Sequence, residues 1–167
     1  MIRQSDWQHD SQYMAIVADL LIKPEVCKLK DITQHINSNR LDHSIMVSYK
    51  SYVLGKKMHL DYKAMARAGL LHDLFYYDWR TTKFNEGSHA YVHPRIALDN
   101  AKKITKLSKK EADIIVKHMW GATVAPPKYI ESAIVSFVDD QCAIVEASIP
   151  FFKTKYAKLK FKFSGVS

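Results

Sequence analysis

Apolar residues recur at helical spacing along nearly the whole chain, and this periodicity most narrows the folds open to it. In residues 11–22, for example, Met14, Val17 and Leu21 lie three or four residues apart, which places them on one face of a helix. Because no run reads clearly as a strand and the intervening segments are short, the sequence predicts a single-domain, all-α helical bundle of six to eight helices. Similar patterns occupy residues 41–58, 62–75 and 128–147.

Helix-end signals support this pattern. Asp61 is a predicted N-cap for the helix that follows it, since its carboxylate can accept from free backbone amides. Ser108 and Glu111 have the spacing of a capping box. Pro94 is predicted to open a new helix, because proline is favoured at the first helical position. The segment before it is then a loop, and the backbone of His93 is biased away from the helical region.

Composition excludes several classes of protein. The 167 residues are 47% hydrophobic and 25% charged, which is typical of a globular domain and not of a disordered chain. No run of about 18 apolar residues is present, so no membrane-spanning helix is expected. The first residues lack the pattern of a secretory signal. Cys27 and Cys142 are the only cysteines, so we expect neither a disulfide framework nor a Cys-rich zinc site. The same scarcity of cysteines leads us to expect a cytoplasmic location.

The basic character of the chain is concentrated in its last residues. The formal net charge is +8, and five lysines without any acid follow Phe151. We therefore divide the chain into a domain, residues 1–150, and a basic aromatic tail, residues 151–167. The favoured interpretation of the tail is that its aromatic residues pack on the domain while the lysines remain in water. The alternative is contact with nucleic acid, through phosphate neutralisation and base stacking.

Four of the eight histidines and one aspartate stand where apolar residues would be expected. A buried imidazole or carboxylate destabilises the fold unless it has a partner, and five such residues are best explained by one shared site. Divalent transition metals are suitable common partners, because neutral imidazole and carboxylate are good ligands for them. The five residues are His43, His72, His93, His118 and Asp139.

Asp73 directly follows His72. Neighbouring side chains on a helix point about 100° apart. Both can therefore reach one centre only near a helix end, or if Asp73 turns toward a second ion. A carboxylate has two oxygens, so the sequence is consistent with Asp73 bridging two metals.

The ordered set of these residues resembles the HD-domain superfamily of metal-dependent phosphohydrolases, across about residues 35–146. The motifs that carry the resemblance are Arg40-x-x-His43-Ser44-x-x-Val47, Ala68-Gly69-Leu70-Leu71-His72-Asp73 and Asp139. His93 and His118 are similar to the two extra histidines of the branch with an H…HD…H…H…D arrangement.

The resemblance implies two metal sets that share Asp73. One ion would be held by His43, His72, Asp73 and Asp139, and the other by Asp73, His93 and His118. Asp140 follows Asp139 at a position where relatives often have a basic residue. We expect Asp139 to be the ligand, because relatives place it immediately after the apolar run.

The expected activity is hydrolysis of a phosphate ester or anhydride. One or two divalent ions (Fe, Mn, Zn, Co or Ni) would turn water into hydroxide near neutral pH. Asp73 is the expected catalytic bridge, and the expected substrate is a small phosphorylated metabolite such as a nucleotide or dinucleoside polyphosphate. The alternative is a non-catalytic HD module that binds metal and nucleotide as a sensor or scaffold.

Two further residues are candidate catalytic groups. Arg40 precedes His43 by about one helical turn, so it could contact a substrate phosphate, and the alternative is a solvated or salt-bridged arginine. His89 lies four residues before His93 in the predicted loop, and it is a candidate proton donor or outer partner of the metal site.

Overall fold

The computed structural model describes residues 6–35 and 38–163, with side chains for residues 6–34 and 39–148. Eight α-helices make up most of this part, which confirms the all-α prediction. They are α1 Asp6–His9, α2 Ser11–Leu21, α3 Pro24–Cys27, α4 Arg40–Lys57, α5 Tyr62–Leu71, α6 His89–Ile104, α7 Lys109–Lys117 and α8 Ile130–Phe163.

A short antiparallel hairpin between α3 and α4 was not predicted. It consists of β1 Thr33–His35 and β2 Ser38–Asn39, and a 3-10 turn, Lys28–Asp31, precedes it. Strands of three and two residues are too short to show an alternating pattern in the sequence. The hairpin leads directly into α4, where the Asn39 side chain accepts from the Asp42 amide at 2.9 Å and caps the helix.

The core lies between α4 and α5, which pack along each other, and α8 covers both α4 and α7. α6 packs on α7, and α2 on α5. Burial of each aliphatic side chain in this core contributes about 1.5–3 kcal/mol. Fully buried examples from four of these helices are Val47, Leu70, Ile114 and Val135.

A chain of hydrogen bonds joins three helices inside this core. The Ser48 hydroxyl of α4 donates to the Ala66 carbonyl of α5 at 2.6 Å. Because that bond uses the one hydroxyl hydrogen of serine, Tyr13 of α2 must donate its own to Ser48 Oγ, 2.8 Å away. The hydroxyls of Tyr13 and Ser48 therefore both have partners, and the pairing fixes the relative positions of the three helices.

Helix α5 approaches α4 closely at Gly69. A Cβ atom added there would lie 3.0 Å from Ser48 Cα and 3.3 Å from Ser48 N, both of them backbone atoms. Backbone cannot rotate away from such a contact as a flexible side chain can. Glycine at this position therefore permits the close packing that brings the C-terminal end of α5 against α4.

The predicted helix caps are confirmed, but one helix is shorter than predicted. The Asp61 carboxylate accepts from the Ala64 amide at 3.1 Å, and Ser108 with Glu111 forms the reciprocal capping box. α5 ends at Leu71 rather than near residue 75. The amide of residue 74 bonds the carbonyl three residues back, and that of residue 75 the carbonyl two back, so the helical ladder stops.

The prediction that Pro94 opens a helix is wrong. α6 begins at His89, so both Pro94 and His93 lie inside it. The Ser88 carbonyl accepts from the amides of Tyr91 and Val92, which starts the helix one turn earlier. Pro94 is the sixth residue of α6 and has no amide hydrogen to donate to the carbonyl four residues back, so the helix continues with one backbone bond fewer. The bias of His93, the residue before proline, away from the helical region is therefore overridden here.

The backbone of α8 continues without a break past residue 150 to Phe163. The predicted packing of the tail's aromatic residues, and its possible contact with nucleic acid, concern side chains that lie outside the described residues. Within the described part of the chain, no helix combines the length and the apolar character needed to cross a membrane.

We predict that Gly69→Ala lowers the free energy of unfolding by about 1–3 kcal/mol, the range found for overpacked cores. The new methyl group would press on the Ser48 backbone and separate α5 from α4. Urea denaturation followed by circular dichroism measures the change. Lys63→Ala, at an exposed position of the same helix, is the control and should change stability by less than about 0.5 kcal/mol. Equal stabilities of the two variants would contradict the close approach.

Candidate metal centre

Five helices bring the six predicted ligands to one place. His43 lies in the first turns of α4, His93 within α6 and Asp139 within α8. His72 and His118 are the residues that directly follow the last turns of α5 and α7. Since α5 ends at Leu71 and not near residue 75, His72 and Asp73 lie at its C-terminal end, which is one of the two arrangements that let both reach one centre.

The six side chains form one continuous buried cluster. Three groups of three residues have ligand atoms within 4.8 Å of one another. Because the groups share His72, Asp73 and His118, the cluster is not divided into separate parts. The groups are His43 with His72 and Asp73, His72 with His118 and Asp139, and Asp73 with His93 and His118.

Three imidazoles are oriented by backbone carbonyls. Nδ1 of His72 lies 2.7 Å from the Gly69 carbonyl, and Nδ1 of His93 and of His118 lies 2.8 Å from a carbonyl three or four residues back. A carbonyl only accepts, so each Nδ1 carries the hydrogen. In a neutral ring Nε2 is then the atom with the free lone pair, and it faces the cluster. This arrangement is typical of metal-ligating histidines.

The atoms facing the centre of the cluster are poorly satisfied by the protein itself. His72 Nε2 and Asp73 Oδ1 are buried and have no hydrogen-bond partner among the described residues. His93 Nε2 and His118 Nε2 are only 2.7 Å apart, although neither neutral ring has a hydrogen to offer there. Unpaired buried polar atoms are costly, and bound cations would supply the missing partners. The donor set therefore fits a metal ion.

Asp73 contacts both sides of the cluster with different oxygens. Oδ1 lies 3.3 Å from His93 Nε2 and 3.7 Å from His118 Nε2. Oδ2 lies 3.6 Å from His72 Nε2. Burial alone would raise the pKa of Asp73, but the surrounding histidines outweigh it and hold that pKa well below its usual range. The carboxylate is therefore ionised and is placed to bridge.

Asp139 and Asp140 differ in position. Asp139 is 7% exposed, and its Oδ1 lies 2.9 Å from His43 Nε2 and 3.5 Å from His72 Nε2. Asp140 is exposed to solvent. The structure thus brings Asp139 into the cluster, as expected from the sequence, and leaves Asp140 outside it.

Glu146 is a site residue that the sequence did not reveal. Its Oε1 lies 3.1 Å from His43 Nδ1, so His43 is held between Glu146 and Asp139. Burial lowers the pKa of His43, but the bonds to both carboxylates outweigh burial and raise that pKa well above its usual value. Glu146 is separated from Asp139 by two helical turns, and only its place on the same face of α8 could have suggested a contact.

Arg40 is not the solvated side chain that was the alternative to a phosphate contact. It is fully buried, with its guanidinium 3.6 Å above the Phe75 ring. Nε donates to Gln34 Oε1 and Nη1 to the Phe75 carbonyl, each at 2.7 Å. Gln34 in turn donates from Nε2 to Asp73 Oδ2 at 2.7 Å. Gln34 was missed because it lies in the unpredicted hairpin.

His89 is the first residue of α6 rather than part of a loop. Its half-buried ring stacks on His93 at 4.3 Å and on Trp79 at 5.7 Å, and Nδ1 lies 3.3 Å from the Tyr77 hydroxyl. Burial, followed by the nearby His93, lowers the pKa of His89 to about 4. Its ring is therefore neutral near pH 7. His89 lies beside the cluster but is in none of the three groups.

Comparison with known proteins gives no match: no family model, no curated protein and no solved structure is similar to this chain. The functional interpretation therefore depends on the geometry of the cluster and on the ordered motif.

We predict that divalent transition metals bind this cluster and raise the melting temperature. An ion that binds only the folded state at 100 times its Kd adds about 2.7 kcal/mol of stability. Differential scanning fluorimetry with Mn²⁺, Co²⁺, Ni²⁺, Zn²⁺ and anaerobic Fe²⁺ measures the shift, and elemental analysis measures the bound metal. Asp73→Asn should lose most of the shift relative to its own metal-free melting temperature.

His9→Ala is the matched control, because it removes an exposed histidine of α1 that is remote in sequence from the cluster. It should keep the full shift and the full metal content. A wild-type protein that takes up none of the five metals would contradict the site.

Proposed function

We propose that the chain is a metal-dependent phosphohydrolase of the HD type, acting on a phosphate ester or anhydride. The observation that carries this proposal is the environment of Asp73, whose unpartnered buried Oδ1 faces two imidazoles while Oδ2 faces a third. The ordered motif from His43 to Asp139 supports the same class of enzyme, because its members come together in one cluster.

The nature of the ligands favours a catalytic role over a structural one. They are imidazole nitrogens and carboxylate oxygens, whereas structural zinc sites commonly include cysteines. Such ligands suit Fe, Mn, Zn, Co and Ni. A bound divalent ion supplies the acidity that produces hydroxide from water near neutral pH and stabilises charge on the phosphoryl oxygens.

The chain's own residues have distinct roles in this proposal. His43, His72 and Asp139 would hold one ion, His93 and His118 the other, and Asp73 both. The backbone carbonyls that accept from Nδ1 keep three imidazole rings oriented. The neutral ring of His89, beside His93, would donate an N–H hydrogen bond to the departing oxygen of the substrate and stabilise the charge that develops there.

The proposed substrate is a small nucleotide or a dinucleoside polyphosphate. Trp79 is 38% exposed and stacks on His89, so an aromatic surface is available beside the cluster. Arg80, with its guanidinium 5.0 Å from the Trp79 ring, adds a positive charge there. Aromatic faces bind nucleobases and cations bind phosphates, which favours this substrate class over an uncharged ester.

We expect the metal-loaded protein to release phosphate or a nucleoside phosphate in a panel of nucleotides, cyclic nucleotides, dinucleoside polyphosphates and sugar phosphates. Asp73→Asn should lower kcat/KM by more than about 100-fold, because even outer partners of metal ligands contribute about 10–100-fold. His9→Ala, purified identically, should retain full activity. If the metal-loaded wild type is inactive on the whole panel, the chain is a non-catalytic binding module.

The role of His89 has a separate test based on the leaving group. His89→Phe removes the donor but keeps an aromatic ring that can stack between Trp79 and His93. Its kcat should fall by about 100-fold or more on substrates with a poorly stabilised leaving oxygen, as expected when one hydrogen-bond donor to developing charge is removed. The effect should be much smaller on p-nitrophenyl phosphates, because the leaving oxygen of nitrophenol is already well stabilised. An equal loss on both substrate types, with unchanged metal content, would exclude stabilisation of the leaving oxygen by His89.

A further inference from the structure

Gln34 links two charged residues that the sequence did not connect to each other. It is 9% exposed, in strand β1. Its Oε1 accepts from Arg40 Nε at 2.7 Å, and its Nε2 donates to Asp73 Oδ2 at 2.7 Å. Arg40 only donates and an ionised carboxylate only accepts. The amide therefore has a single orientation that satisfies both partners.

Arg40 is a rigid anchor for this amide. The guanidinium stacks on Phe75 at 3.6 Å and donates to the Phe75 carbonyl at 2.7 Å. Full burial keeps water away from these bonds. An arginine fixed by a ring, a carbonyl and an amide cannot swing toward a ligand without breaking several contacts.

The contact with Gln34 limits the rotation of the Asp73 carboxylate. The terminal torsion of aspartate is otherwise broad. With Oδ2 held by the amide, Oδ1 remains directed at His93 and His118. One lone pair of Oδ2 is used by Gln34, and the other is available on the side of His72.

We infer that Gln34, anchored by Arg40, is the positioning residue that sets the orientation of the Asp73 carboxylate and thereby the metal affinity of the cluster. The inference rests on the metal centre of the proposed function, and it changes the role of Arg40 from a substrate contact to a support for Gln34. Loss of a partner of this kind lowers metal affinity by about 10–100-fold.

Gln34→Met tests the inference, since methionine is similar in length but can neither donate to Asp73 nor accept from Arg40. Calorimetric titration with Co²⁺ gives the affinity, and the visible absorption of bound Co²⁺ reports the ligand geometry. We expect an affinity about 10–100-fold lower than wild type and an altered spectrum.

The control is Gln12→Met, which removes a glutamine that accepts from Lys56 at 2.6 Å outside the cluster. It should leave the affinity and the spectrum unchanged. Wild-type affinity and spectrum in Gln34→Met would overturn the inference, as would a wild-type protein that binds no Co²⁺.

Arg40→Lys provides a second route that does not require Gln34→Met to fold. Lysine keeps the positive charge near Asp73 but cannot donate to Gln34 and the Phe75 carbonyl with the same geometry. We expect a similar loss of Co²⁺ affinity. In the double variant the loss should equal that of Gln34→Met alone, because Arg40 acts through Gln34.

Two results would overturn the Arg40 part of the inference. The first is that the losses of Co²⁺ affinity from the two substitutions multiply in the double variant. The second is that Arg40→Lys raises KM while Co²⁺ affinity stays at the wild-type value, as expected of a phosphate contact. Since Co²⁺ binding requires no substrate, failure of the hydrolysis assay would remove the proposed activity without removing the role of Gln34.

Discussion

The ionised carboxylate of Asp73, buried within the His/Asp cluster, is the constraint that organises the rest of the structure. A carboxylate in such a place is stable only when positive charge or donors surround it. Here the histidines lie on one side of it and the Gln34 amide on the other. Burial, followed by the neighbouring His93, lowers the pKa of His118 to about 3. A proton is therefore a poor partner for the His118 ring, and a metal ion is a better one.

The helices are arranged so that backbone carbonyls orient imidazole rings toward the cluster. His72 and His118 each follow a helix end, where carbonyls lack partners within the helix. Each ring uses one of these carbonyls as the acceptor for Nδ1. Helix termination, which would otherwise leave polar groups unsatisfied, thus orients two imidazoles toward the cluster. The close approach at Gly69 sets the distance between the first of these ends and α4.

Much of the fold and most of the site could be predicted from local patterns. The helical periodicity, the Asp61 cap and the Ser108 capping box depend on neighbours a few residues away, so the sequence reveals them. The start of α6 did not follow the local rule, because the Ser88 carbonyl starts the helix before Pro94. Gln34 and Glu146 were not predicted, because their roles depend on residues 39 and 103 positions away in the chain.

By itself, the sequence determined that this is a helical protein and singled out six side chains that could hold a metal, since the cost of polar residues within apolar stretches is visible residue by residue. Only the tertiary structure decided how those side chains meet. It placed Asp139 in the cluster and Asp140 in solvent, and it buried Arg40 behind Gln34. The physical reason is that a helix face and a hydrogen-bond partner are chosen by packing between distant segments. A pattern of spacings along one chain does not contain that information.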